Sequence, residues 1–129
     1  MKRIQKMLLT RDQEKLRVND QSGHAFELKY GDLLVGQLNY RDAQWFFEYS
    51  ELFKSADNMK PIANFPDLHK QYTSKVLWPF FASRIPSLSR KRVLRQVEIK
   101  GIDKNDTIGL LKFFGTKTLS NPYTLIPKR

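Results

Sequence analysis

The chain has 129 residues, a formal net charge of +10, 40% hydrophobic residues and no cysteine. That length holds one core but not the two lobes of a nucleotide-using enzyme, and nine Phe, five Tyr and two Trp are too much aromatic mass for a disordered tail. Without thiols there are no disulfides or thiolate metal sites, while the positive charge draws the protein to nucleic acid, anionic membrane or an acidic protein face without choosing among them. No signal peptide and no apolar run of transmembrane length occurs, so a soluble cytoplasmic protein with no membrane partner is expected.

Residues 1–22 place Ile4, Met7 and Leu8 at helical spacing among Lys2, Arg3 and Lys6, and Thr10 with Gln13 fits a capping box. A basic arm is expected here, either mobile or a partner-binding helix, ahead of a single domain over 23–129. Ala25 to Lys29 and Leu33 to Tyr40 then read as strands joined through Tyr30, Gly31 and Asp32, residues suited to a tight turn. Trp45 to Tyr49 alternates Trp45, Phe47 and Tyr49 against Phe46 and Glu48, and the short link Arg41 to Gln44 makes it the third strand of a meander.

Glu51 to Phe53 predicts one helical turn, and Lys60 to Asp67, with two prolines, predicts extended chain or an edge strand crossing the sheet. Leu77 to Arg95 follows, reading LWPFFASRIPSLSRKRVLR. Pro79 suits the first turn of a helix near 79–84, Pro86 closes it, and Ser87 or Ser89 is expected to cap a second helix. That helix would bury Val93, Leu94 and Val97 and turn Lys91, Arg92 and Arg95 outward. Gly101 predicts its stop. Asn105 or Asp106 caps a last helix carrying Ile108, Leu111 and Phe114 on one face, Gly115 ends it, and Tyr123 to Ile126 returns as a strand. The expected fold class is α+β: a small antiparallel sheet, either an open meander or closed like a barrel, packed with three or four short helices.

The chemistry of catalysis is hard to find in this pattern. No G-x-G-x-x-G or G-x-x-x-x-G-K-[ST] cradle occurs, and neither a kinase catalytic loop nor a D-F-G is present. His24 and His69 lack ligand partners at metal spacing, and Asp103, Asp106, Glu48 and Glu51 read as caps and solvated strand positions. No enzyme activity, cofactor or metal is therefore expected. Arg84, Arg90, Lys91, Arg92, Arg95, Lys100 and Lys104 crowd the region 84–104 against Glu98 and Asp103, which would suit nucleic-acid phosphates but comes without a recognition motif. An aromatic and basic surface without a catalytic constellation points first to protein binding, with Trp78, Pro79, Arg84, Ser87, Arg90, Lys91, Arg92 and Arg95 as the expected contacts. Phe80, Phe81, Phe113 and Phe114 are assigned to the core, and Trp78 could serve either role.

The series Val35-Gly36-Gln37-Leu38, Trp45-Phe46-Phe47-Glu48-Tyr49, Asn64-Phe65-Pro66, Leu77-Trp78-Pro79-Phe80-Phe81 with Ile85-Pro86, and Leu110-Leu111-Lys112-Phe113-Phe114-Gly115 resembles, from about Phe26 to Ile126, the first N-terminal subdomain of HipA-type serine/threonine kinases. The resemblance implies a small antiparallel sheet with helices that packs on a kinase amino lobe and holds no catalytic machinery. As a stand-alone copy the chain resembles the HipS-like antitoxins of HipBST systems. That implies a HipA/HipT-like kinase as partner, with a separate helix-turn-helix DNA-binding protein in the same system. A non-inhibitory structural subunit of the kinase complex and a nucleic-acid-binding protein are the alternatives. Ser87-Leu88 and Asn121-Pro122-Tyr123 depart from the acidic-glycine and glycine-alanine pairs of the family.

Overall fold

A computed structural model describes residues 23–128; the expected arm over 1–22 lies outside the described residues. Strands β1 (His24–Tyr30), β2 (Leu33–Arg41) and β3 (Gln44–Tyr49) form the expected meander. Gly31 takes φ +60 at the first turn, and Asp42 and Ala43 both take positive φ at the second, as a two-residue hairpin requires. β4 (Tyr72–Ser74) pairs with β3, and β5 (Thr124–Pro127) pairs with β1, giving the antiparallel order β4-β3-β2-β1-β5. The sheet is open, so the barrel alternative does not hold: three strands separate the two edges, and helices rather than further strands cover the inner face.

Four short helices complete the fold: α1 (Glu51–Lys54), α2 (Pro79–Ala82), α3 (Lys91–Ile99) and α4 (Thr107–Phe114). Period-two alternation turns Phe26, Leu28, Leu38, Trp45, Phe47 and Tyr49 inward, and all are buried. A register shift between Leu28 and Lys29 in the β1–β2 ladder interrupts the alternation, so Val35 and Gly36 are both buried. Gly36 is required there, because a Cβ would lie 2.7 Å from the Phe47 ring and 2.6 Å from the Glu48 carbonyl.

The segment over 60–67 crosses the inner face as irregular chain, and the edge strand is the later β4, which the alternation of so short a stretch did not disclose. Ile62 and Phe65 from this crossing are buried in the core. Its backbone is held by Tyr49, whose hydroxyl donates to the Phe65 carbonyl (2.6 Å) and accepts from the Ile62 amide (2.8 Å). α3 ends in a Schellman pattern at Gly101 (φ +70), with Ile102 N–H bonded to the Val97 carbonyl. Asp106 caps α4 by accepting from the Gly109 amide (3.0 Å).

Burial raises the Tyr49 pKa from 10.0 to about 12, the hydrogen bond from Ile62 opposing the shift. An unfolded tyrosine ionises first, so the stability due to this neutral phenol is intact below pH 10 and declines as the pH rises towards 12. Tyr49→Phe is expected to cost about 2 kcal/mol at neutral pH, because two buried backbone groups lose their partner. In urea titrations across the alkaline range the variant should also show a shallower decline than the parent; parallel curves would contradict the assignment.

Candidate partner-binding surface

The surface expected to bind is built on α2 and α3. Trp78 stands at the N-cap of α2 and its carbonyl accepts from Phe81 and Ala82, while the first-turn Phe80 amide donates to Asn64 Oδ1 (3.0 Å) from the crossing segment. The crossing segment therefore caps a helix 16 residues away in sequence. The Trp78 ring is half-buried, edge-on to Phe65 at 5.0 Å between centroids, and Val76 and Pro79 beside it are exposed. It is a partly buried aromatic group packed against the core, held by a fixed backbone.

α3 presents the other half. Val93 and Val97 are buried and Leu94 partly so, while Arg90, Lys91, Arg92 and Arg95 are exposed, as the spacing predicts. The expected serine cap is not formed. Arg90 occupies the N-cap without a side-chain bond, because Ser87 and Ser89 bond each other (2.7 Å) in a turn that ends before the helix begins. Cations then crowd the positive end of the helix dipole, an arrangement unfavourable in isolation and favourable beside an anionic surface.

Arg84 belongs to neither half. It is 4% exposed, and its guanidinium donates to the carbonyls of Gly115 (2.9 Å), Thr116 (3.3 Å) and Tyr123 (2.9 Å) and to Asn121 Oδ1 (3.1 Å). Desolvation lowers its pKa from the ordinary arginine value. The side chain clamps the connection between α4 and β5 to α2, so it is a component of the scaffold rather than of the open basic face. Its position three residues after the buried Phe81, in the turn that follows α2, was the available signal in the sequence.

The aromatic pairs divide. Phe81 is fully buried and Phe80 and Phe114 partly so, whereas Phe113 is 39% exposed and its ring lies 5.9 Å from Lys100 Nζ. His69 and Asp67 sit in an exposed turn and Asp103 accepts from the Asn105 amide. Among the described residues no group of three or more His, Asp or Glu could hold a metal, and no helix is long and apolar enough to cross a membrane.

An open antiparallel sheet with its crossing segment, proline-led α2 and glycine-terminated α4 is the setting in which the comparisons fall. Residues 26–119 match the model of the HipA N-terminal domain. The chain belongs to the HipA N-terminal domain family. Among solved structures it is similar in fold to one described as the N-terminal domain of HipA toxin, with a TM-score of 0.55 and 17% identity over 82% of this chain and 93% of that chain. No curated protein matches it. In this HipA N-terminal domain Asn121, Tyr123 and β5, which the Arg84 clamp holds, lie beyond the family match.

Arg84→Ala is expected to destabilise the domain by about 3 kcal/mol, since buried acceptors lose a charged donor. Arg84→Lys should recover less than half of that, because one ammonium cannot reproduce a planar fork. Hydrogen exchange would check the mechanism: protection of amides over 116–125 should fall before that of β2 and β3.

Proposed function

We propose that this chain is a non-catalytic binding module that docks on a HipA-family serine/threonine kinase in the bacterial cytoplasm and restrains it as a HipS-like antitoxin. The observation that carries the reading is Trp78, a partly exposed aromatic at the fixed start of α2 in a domain of the HipA N-terminal family. Tryptophan and arginine are the residue types enriched at interface hot spots, and a preformed backbone keeps the ordering cost of binding low. The exposed row Arg90, Lys91, Arg92 and Arg95 at an uncapped helix start adds attraction for an acidic face of the kinase. Pro79, which opens α2, and Ser87, before α3, are both exposed and are assigned to the same surface under this reading. A helix-turn-helix protein is a further member of such a complex under this reading.

The same basic row supports a second reading, contact with nucleic-acid phosphates. Such binding would weaken steeply with added salt and with charge reversal at Lys91, Arg92 and Arg95.

Co-expression with a HipA-family kinase encoded nearby, scoring growth and co-purification, separates these readings. Rescue of growth with a stable complex is expected. Binding without rescue would make the chain an assembly subunit, and absence of binding would leave the nucleic-acid reading. Trp78→Ala is expected to weaken the kinase complex by at least about 2 kcal/mol. Because the ring also packs on Phe65, its melting temperature should fall moderately, so affinity is to be measured well below it. Unchanged affinity in a folded variant would remove Trp78 from the interface.

A further inference from the structure

Four segments distant in sequence meet at one end of the sheet: the start of β1, the end of β2, α4, and the residue after β5. They line an open cavity of about 690 Å³. Its charged residues are Arg41, Lys112 and Lys128, joined by His24, Asn39 and Tyr40, and no carboxylate of the described residues is in its wall. All three cations are exposed. Arg41 lies over the Phe46 ring at 4.0 Å, and Lys112 Nζ is 3.3 Å from His24 Nδ1. Among the described residues the only ion pair joins Lys54 to Glu51, so no described carboxylate neutralises any of the three.

Like charges gathered around a concave surface raise the local potential and concentrate anions. The surroundings narrow the kind of anion. Tyr40 is packed on Trp45 (4.7 Å) and Phe46 is covered by Arg41, so neither offers an open platform for stacked bases. β1 is paired with β2 on one side and β5 on the other, and the Lys128 amide donates to the Ala25 carbonyl, so no strand edge is open here to read a peptide backbone. What the groove offers is positive charge with amide and phenol groups, in a volume of small-ligand size.

We propose that this groove binds a compact polyphosphate anion, of the type found in inorganic pyrophosphate and in the tails of nucleoside triphosphates. Recognition is by Arg41, Lys112 and Lys128 acting together, with Arg41 held in place by Phe46. The site is distinct from the row of cations on α3 and does not depend on the kinase reading.

The test is calorimetric titration of the full chain, at low ionic strength, with pyrophosphate and separately with ATP. Saturable binding near one to one is expected, weakened about tenfold by each of Lys112→Gln and Lys128→Gln and little changed by Lys91→Gln with Arg92→Gln. Arg41→Gln should weaken it equally; as its ring contact is also lost, circular dichroism must show the folded state, and the two lysine variants carry the test if it does not. Equal affinity for both ligands would assign recognition to the phosphates alone, and tighter binding of ATP would extend the same groove to the nucleoside. Absence of saturation at millimolar pyrophosphate, equal loss with the α3 variants, or binding confined to oligonucleotides would overturn the proposal.

Discussion

The Phe65 ring is the contact on which the remaining architecture rests. It stacks on Phe47 of the central meander at 4.3 Å and meets Tyr72, Trp78 and Phe81 within 6 Å, while its carbonyl accepts from Tyr49. One side chain from an irregular segment thus joins the third strand, the edge strand and α2. Burying such a ring and fastening its backbone with a phenol satisfies the two demands on a loop that crosses a core: apolar area removed from water and no orphaned polar group. The position of Trp78 follows from it, since Asn64, adjacent to Phe65, caps α2 while Phe65 itself supports the indole.

Positive charge is used in three different ways in this small domain. Arg84 is taken inside, where carbonyls and an amide oxygen replace its hydration and tie the α4–β5 connection to α2. The cations of α3 remain in water at the unfavourable end of a helix. Arg41, Lys112 and Lys128 converge on a cavity in whose wall none of the described residues carries a carboxylate. A net charge of +10 describes none of these arrangements.

The HipA N-terminal fold supplies a rigid frame for such surfaces. The inner face of the sheet is closed by the crossing segment and the helices, so what the domain presents outward is the α2 collar, the α3 row and the sheet end. Under the proposed function the first two meet a kinase, and the sheet end is left for a separate ligand.

The sequence by itself determined most of the elements: the Gly31–Asp32 turn marked β1 and β2, period-two alternation marked β3, prolines marked α2, and Gly101 with Asn105 or Asp106 marked the boundary between α3 and α4. These are local signals, in which neighbouring residues state their own backbone preference. The tertiary structure alone decided the rest. Whether the sheet closed depended on which edges β4 and β5 took, and Ser87 and Ser89 failed as caps because a turn brought them together before the helix began. Arg84 looked like one more surface cation until carbonyls more than 30 residues away enclosed it, and Arg41, Lys112 and Lys128 have no relation in the chain that links them. Contacts made between distant segments leave no periodicity to read, because their geometry is fixed by packing and not by the preferences of adjacent residues.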